Sequence, residues 1–431
     1  MQHLIYRLRI FLSLLLLSLS LRLNSDLLSA LILWLNIRKF KEYNSKVRDS
    51  KKILVFPKSG GIEDLISSFA KTQNNHLVFF WLPRIFLKKI FSYYCKNMTS
   101  DDYFTKPLNV QATIEKQKYV LFLTRLFKSL DKFSYYDGFI SFNIFYYAEK
   151  PFDKVCKNIN KKYIILHKES ALSPIEEKYH PKYYEKFNDK SLAHKISIYS
   201  ESQKKILIKS NIASKNQLSI IGCPRSDYSF KLRNTKPHNK TIVFFLIETG
   251  RYVQSNFQKT SIKKKTNWNK LYKKTLDYLI EFALNNPDIN IILKGKIGVH
   301  EKNHFNKINL PENCKFIFKG TGEKFLRKAK IVIAFNSTIV FETIASNRNL
   351  IIPNFNNENV TKRIHMHQIK EKKYFVNSKK IFFEKLYTFI SKPYKRHKFS
   401  KAEEETLKYY LGNIDGKSGI RMKNFLINNF N

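Results

Sequence analysis

Residues 330 to 355, KIVIAFNSTIVFETIASNRNLIIPNF, read as a buried strand, a polar turn, a helix and a second buried strand. The turn carries Asn336, Ser337 and Thr338, and the helix carries Glu342. Hydroxyls beside the free N–H groups of a helix start suit a phosphate. The same residues equally suit plain N-capping by Ser337 or Thr338, and the two roles can coexist. Upstream, Lys294 and Lys296 follow the apolar NIIL. Their ammonium groups could neutralise phosphate oxygens or simply sit in solvent.

Several chemistries lack their signatures. There is no G-x-G-x-x-G and no G-x-x-x-x-G-K-[ST], so a dinucleotide dehydrogenase or a P-loop NTPase is not supported. No D-x-D pair occurs, which argues against a transferase that holds a nucleotide diphosphate through a carboxylate-bound metal. His365 and His367 form one H-x-H with no carboxylate cluster beside it. Cys95, Cys156, Cys223 and Cys314 lie far apart, without zinc or disulfide spacing. No metal and no cofactor are expected, and a reducing compartment is the default.

The chain of 431 residues holds 78 Lys+Arg against 34 Asp+Glu, a net charge of +44 that draws polyanions. Nucleotides, phosphorylated lipids, anionic membranes and nucleic acids all qualify. Abundant Lys, Asn, Ile, Phe and Tyr with only 12 Gly fit a composition-wide bias as much as a selected patch. At the N-terminus, Ile10 to Leu21 is an uncharged run of 12 residues, followed by a second apolar run from Leu27 to Ile37. Neither reaches the roughly 18 residues of a simple span. SLSLRLNSD is a poor cleavage site, so secretion is not expected. Arg7, Arg9, Arg22, Arg38, Lys39 and Lys41 flank the runs, as expected of helices lying on an anionic cytoplasmic face. A buried helical hairpin and a single tilted span are the alternatives.

From residue 50 onward, continuous apolar strands alternate with helical patterns, which predicts parallel sheets covered on both faces. KKILVFPKSGG is a strand closing in the glycine turn of Gly60 and Gly61, and HLVFFWLP, YDGFISFN, YIILHKES, HKISIYSES and QLSIIGCPRSD supply further strands. The polar, proline-bearing KLRNTKPHNK, residues 231 to 240, marks a boundary, after which the alternation restarts. The expected organisation is a membrane-associating segment over 1–45, an N-terminal Rossmann-like domain over 50–232, a C-terminal one over 240–395 and closing helices over 400–431 that pack across both lobes. In such an architecture, ligands bind at the carboxyl ends of the strands.

SIIGCPRSD, FNSTIVFETIASNRNLIIPNF, LHKESALSP and NIDGKSGIRM together resemble bacterial surface-carbohydrate transferases of the GT-B fold, kin of polysaccharide glycosyltransferases and CDP-glycerol glycerophosphotransferases. The likeness runs from about residue 50 to 425 and is most detailed between 160 and 355. It implies an α/β fold of two Rossmann-type parallel-sheet domains facing a cleft. It also implies that Glu342 accepts hydrogen bonds from the donor's ribose hydroxyls. One departure stands out: LKGKIGVH lacks the His-Pro pair of the cytidine-nucleotide relatives, so a CMP- or CDP-linked donor is in doubt.

An inverting transfer also needs a general base. Glu169 is the first candidate and Asp64 the second, with His167, Lys168, Gly60 and Gly61 as substrate-binding neighbours. Arg225 joins Lys294 and Lys296 as a cation for the leaving nucleotide. The implied activity is metal-independent transfer of a sugar or polyol phosphate from a nucleotide-activated donor to a polysaccharide or lipid-linked acceptor. It would take place at the cytoplasmic face of the cell membrane, through a peripheral or monotopic attachment. A non-hydrolysing sugar-nucleotide epimerase is the alternative. A basic nucleic-acid-binding protein is another, although no RRM-like, zinc-finger or helix-turn-helix signature is present and no nucleic acid is expected.

Overall fold

The computed structural model describes residues 2–40, 50–69, 76–97, 110–168, 190–246, 268–295, 308–335, 337–355 and 371–431, with Glu177, Pro181 and Ile369. Glu169, Lys296, Asn336, His365 and His367 lie outside the described residues. The chain divides into two compact units. One contains residues 1–170, 177–225 and 417–431, and the other contains 226–416.

Unit 1 opens with helices α1 (Gln2–Arg22) and α2 (Asp26–Asn36), followed by the short strand β1 (Arg38–Lys39). It continues with β2 (Lys51–Val55), α3 (Gly61–Phe69), β3 (Leu77–Trp81), α4 (Arg84–Tyr94), α5 (Val110–Leu130) and β4 (Gly138–Ser141). Then come α6 (Phe152–Asn158), β5 (Lys162–Leu166), β6 (Lys195–Ile198), α7 (Glu201–Lys209) and β7 (Leu218–Ile220). The strand order is β1-β3-β2-β4-β5-β6-β7. All neighbours are parallel except β1, which runs antiparallel to β3. The order reverses between β2 and β4, which makes that pair the topological switch point.

Two apolar layers sandwich this sheet. On one face Phe56, Phe86, Tyr119, Phe127, Phe139 and Phe152 form a dense aromatic core under α4, α5 and α6. On the other face α3 packs against the chain's last helix, whose Met422, Phe425, Leu426 and Phe430 join Leu65 and Phe69.

The N-terminal hairpin is part of unit 1, not a separate segment. Leu17, Leu21, Ala30, Ile32 and Leu33 are buried in the same core as α5. Ser20 and Ser29 share a hydrogen bond at 2.8 Å, and Asn36 donates to Ser13 at 3.0 Å. Ser25 caps α2, and the Ser129 hydroxyl donates to Asp26. Helix α1 is also longer than the apolar run alone suggests. Arginine is a good helix former, so Arg7 and Arg9 do not interrupt it. Leu4–Arg22 is 19 residues long with mean hydropathy 1.8, enough by length and composition to cross a membrane.

Unit 2 contains α8 (Asp227–Leu232), β8 (Thr241–Phe245), α9 (Trp268–Asn285), β9 (Asn290–Lys294), β10 (Cys314–Ile317) and α10 (Gly322–Lys328). It continues with β11 (Ile331–Ile333), α11 (Ile339–Ala345), β12 (Asn349–Pro353), β13 (Phe375–Val376), α12 (Lys379–Ser391) and α13 (Lys401–Leu411). Its six strands are all parallel in the order β10-β9-β8-β11-β12-β13, with the switch point between β8 and β11. The closing helices separate. Helix α13 lies on α11, where Tyr410 stacks on Phe341 at 4.2 Å, and α14 (Ser418–Phe430) returns to unit 1.

Candidate active site at the strand ends

In unit 1 the segments leaving β2, β5, β6 and β7 bring together residues far apart in sequence. Gly60 turns the chain after β2 with φ +84°, a conformation that costs little only for glycine. A Cβ there would lie 2.6 Å from Arg225 Nη1 and 3.5 Å from Lys168 Cδ, so the two cationic side chains flank the turn. A Cβ on Gly61 would meet the Phe142 ring at 2.1 Å, so only glycine lets α3 start this close to the end of β4. Glu63 sits in the first turn of α3 and accepts the Gly60 N–H.

Asp64, one residue further along α3, is buried at 2 % exposure. Its Oδ2 accepts the Tyr199 hydroxyl at 2.6 Å, and its Oδ1 accepts the Arg225 backbone N–H at 2.9 Å. Arg225 Nη1 lies 3.6 Å from Oδ2, with the guanidinium 5.7 Å from the Tyr199 ring centroid. Burial pushes the Asp64 carboxyl up, while the Arg225 guanidinium and the Tyr199 hydroxyl pull it down. Burial likewise holds the Tyr199 phenol well above its ordinary range. Arg225 itself keeps 25 % of its side chain exposed, so one end of this cluster reaches solvent. Arg421 on α14 donates from Nε to the Ile221 carbonyl at 3.0 Å.

The strand-end pair His167 and Lys168 divides. His167 is 2 % exposed, with Nδ1 3.4 Å from the Ile144 N–H and its ring edge-on to Phe145. That environment fits a residue fixing the loop after β4 better than the substrate contact expected from sequence. Lys168 is half-buried and lies at the Gly60 turn.

In unit 2, Ser337 and Thr338 follow β11 and are half-buried at the start of α11. Thr338 is the N-cap residue, yet its side chain makes no capping bond. Glu342 is half-buried in the first turn of the same helix. Its position at the switch-point strand β11 comes from the β11–α11 connection that the apolar pattern forecasts. Lys294 is placed differently from expectation. It is 8 % exposed, and its ammonium donates to the carbonyls of Gly295 and Phe318, tying β9 to the segment after β10. A lysine with two carbonyl partners in the interior holds strands together rather than awaiting a phosphate.

Sequence reasoning passed over two features. Tyr199 directly follows β6 in a stretch with no motif, and its partner Asp64 is 135 residues away. The second is the Gly320-Thr321-Gly322-Glu323 turn after β10, whose two glycines are its visible signal. A Cβ on Gly322 would sit 3.3 Å from Ile339 and 3.7 Å from Phe245, so this turn lies beside the β8–β11 switch point. There burial pushes the Glu323 carboxyl up, opposed by Lys231. Among the described residues no group of three or more His, Cys, Asp or Glu is placed to hold a metal ion.

No known protein family and no curated protein matches the chain. Among solved structures, it is similar to a variant of the wall teichoic acid polymerase TagF, at 11 % identity and TM-score 0.47 over 97 % of each chain. It is also similar to an S. aureus MnaA–UDP co-structure, at 12 % identity and TM-score 0.46, covering 88 % of this chain and 97 % of that one. An α,α-trehalose-phosphate synthase (UDP-forming) from Burkholderia vietnamiensis aligns at 10 % identity and TM-score 0.43, covering 89 % of this chain and 97 % of the other. At these levels the chain's own residues, not the likeness, carry its function.

Proposed function

We propose that the protein transfers a sugar, or a polyol phosphate, from a nucleotide-activated donor to a polysaccharide or lipid-linked acceptor. The observation that carries this is the half-buried Glu342 on α11, beside the switch-point strand of unit 2, with Ser337 and Thr338 on the same strand-end segment. A carboxylate there supplies the acceptor that ribose hydroxyls need, and the neighbouring hydroxyls can donate to phosphate oxygens. Unit 1 would bind the second substrate at the strand ends around Gly60. Its base is Glu169 in this proposal, since both oxygens of Asp64 already accept hydrogen bonds inside the unit.

The N-terminal hairpin supports a site of work on the cytoplasmic face of the cell membrane. Ile5, Leu8, Phe11, Leu12, Leu15 and Leu19 of α1 are each 49–59 % exposed, a stripe of large apolar groups far beyond the scattered exposure of an ordinary surface. Its occupant in this proposal is an anionic bilayer, because Arg7, Arg9 and Arg22 on α1 and Lys88 and Lys89 on α4 are exposed around it. The inner side of the same hairpin is locked into the core of unit 1 by Leu17, Leu21 and Leu33, which favours a helix lying in the interface. That stripe also favours a transferase over the epimerase alternative, which needs no lipid contact.

The test is a thermal-shift panel of UDP-, GDP-, CMP- and CDP-linked sugars on detergent-solubilised full-length protein. A ligand at 100 times its dissociation constant adds about 2.7 kcal/mol to stability. At least one donor is expected to raise the midpoint and to be turned over in EDTA. Silence across the panel would overturn the transferase assignment.

A further inference from the structure

We infer that the loop between α12 and α13, residues 392–401, is a docking surface for an acidic polymer, a glycan or polyol chain with a phosphate or carboxylate on each repeat. Five of its ten residues are Lys or Arg and none is Asp or Glu. The chain-wide proportion, 78 in 431, gives about two in ten, so composition alone does not account for the run. Lys392, Lys395, Arg396, Lys398 and Lys401 are all exposed, and their side chains make no ion pair with a described residue.

The backbone beneath these charges is fixed. Asn347 donates to the Tyr394 hydroxyl at 3.0 Å and to the Lys395 carbonyl at 3.3 Å, and it accepts the His397 N–H at 3.4 Å. Arg348 donates to the same hydroxyl at 3.4 Å, and Lys330 donates to the Ile390 carbonyl at 2.7 Å. Lys330, Asn347 and Arg348 lie just before β11 and β12, so the loop sits at the amino ends of the unit 2 strands. Ser337 and Glu342 follow β11 at the opposite end, which separates this surface from the proposed donor site.

The cations of the loop outnumber the carboxylates that reach it. Arg233, just after α8, is 7 % exposed, lies 3.6 Å from the Phe399 ring centroid and donates to the His397 carbonyl. Its Nη1 has no hydrogen-bond partner among the described residues. Burial, and then the like charge of Arg396, push its guanidinium down, with Glu403 opposing. Glu403 is shared with Lys373 and, when it is protonated, His397, and Glu371 also pairs with Lys373. These two carboxylates balance Lys373 and Arg233 and leave the five loop cations uncompensated. Glu404 is engaged with Lys408 along α13 at 3.1 Å. A segment that only joined α12 to α13 would be more stable without Arg396, whose charge opposes a buried guanidinium.

The chemistry of the occupant follows from what the loop exposes. The Tyr394 hydroxyl is bonded within unit 2, and the Phe399 ring lies against Arg233 with Phe230 edge-on at 6.5 Å. Neither ring is a stacking platform of the kind on which single-stranded nucleic acids are held. No large apolar side chain of the loop is exposed, unlike the stripe on α1 that faces lipid in the proposal above. What remains is charge repeated along a fixed segment, which matches charge repeated along a chain. The choice of a glycan or polyol chain rests on the transfer reading, and it deepens that reading by holding the acceptor through charges away from its reacting end.

The test is calorimetric binding of oligogalacturonate, a chain with one carboxylate per sugar, to full-length protein in detergent at two salt concentrations. Neutral dextran and single-stranded DNA of matched charge are run beside it, and flotation on anionic vesicles is measured separately. Wild type is compared with the triple variant Lys395→Gln, Arg396→Gln, Lys398→Gln. A control triple variant, Lys128→Gln, Lys154→Gln, Lys157→Gln, removes as many exposed charges from unit 1. The loop variant is expected to keep or raise the unfolding midpoint, because its altered side chains are exposed and unpaired. It should weaken oligogalacturonate about tenfold or more at low salt and flatten the slope of log affinity against log salt by about two, the share of three lost cations. The control variant should change the affinity little, and dextran should not bind. Equal loss in the control would show that net charge alone attracts the polymer and would overturn the surface. A folded loop variant with unaltered affinity, or a wild type that binds no oligogalacturonate, would overturn it too. DNA bound more tightly than oligogalacturonate and released by the loop variant would make the partner a nucleic acid, and vesicle binding lost with the loop would make it a bilayer. Either result replaces the polymer. No donor and no turnover enter these measurements, so their failure is separable from failure of the donor panel.

Discussion

The Tyr199 hydroxyl donates to the Asp64 carboxylate at 2.6 Å, joining the end of β6 to the first turns of α3 across 135 residues of sequence. With the Arg225 N–H on its other oxygen, Asp64 is a buried acceptor whose partners are all within unit 1. A general base must instead reach a substrate proton, directly or through one water. Loss of a true base costs about 10²–10⁴-fold in rate. Asp64→Asn is therefore expected to reduce kcat by much less than that and to raise KM for the substrate held by unit 1, with the acid limb of the pH–rate profile retained. Steady-state kinetics across pH measure all three. A hundredfold fall in kcat with KM unchanged and the acid limb gone would return Asp64 to the role of base.

Glu342 sits on a helix whose N-cap residue, Thr338, makes no side-chain capping bond. Thr338 therefore forms no capping box with Glu342. Glu342→Ala is expected to leave the unfolding midpoint nearly unchanged. Donor affinity should fall about ten- to over a hundredfold through loss of charge-assisted hydrogen bonds. Measuring both on one preparation is decisive, because a lowered midpoint with unaltered affinity would end the ribose assignment.

The sheets were legible in the sequence because parallel strands buried on both faces must be continuously apolar. KKILV, TIVFF and NLIIP stand out for that reason and became β2, β8 and β12. The two-residue edge strand β1, Arg38–Lys39, carries no such pattern, since a charged edge pairs through its backbone alone. The site was legible only where one loop holds it. Ser337, Thr338 and Glu342 fall within six residues and follow from a single strand–turn–helix pattern. The Asp64–Tyr199–Arg225 cluster depends on strand order, because β2, β6 and β7 are separated in sequence and meet only through the sheet. Nothing local marks Tyr199, and Lys294 shows the converse. A lysine at a strand end resembles a ligand contact until the carbonyls that it bridges are seen.

Glu403 offers a stability test in unit 2. It is 1 % exposed and accepts from Lys373 at 3.0 Å, from the Ser400 N–H at 2.9 Å and from the Tyr374 hydroxyl, while its own N–H completes a capping box with Ser400. Burial opposes its charge, but bonds from His397, Tyr374, Ser400 and Lys373 outweigh it and hold the carboxyl well below the ordinary 4.5. A carboxyl depressed in the folded state stabilises above its unfolded value and loses that contribution as pH falls through the folded one. Glu403→Ala should cost about 2–3 kcal/mol near pH 7, from the lost hydrogen bonds to the buried carboxylate and the lost cap. The gap from wild type should be full above about pH 4.5 and narrow on further acidification. Urea titrations at several pH values check this, and a gap that widens in acid would contradict it.

The hairpin separates membrane attachment from folding in a way that truncation cannot. Leu17, Leu21 and Leu33 are 0–1 % exposed, and each contributes about 1.5–3 kcal/mol by burial. Deleting the first 45 residues would strip this layer from α5 and is expected to yield aggregated or poorly folded protein, which says nothing about lipid. Phe11 and Leu15 point outward at 58 % and 52 % exposure, so Phe11→Asp with Leu15→Asp leaves the core intact. The double variant is expected to keep the wild-type unfolding midpoint in detergent and to lose binding to vesicles containing anionic lipid. Wild type should bind those vesicles more weakly as salt is raised, since the surrounding arginines and lysines contribute through a screened field. Flotation assays at two salt concentrations read both effects. Retention of the double variant on vesicles, with its fold intact, would place lipid contact elsewhere on the surface and detach α1 from the membrane.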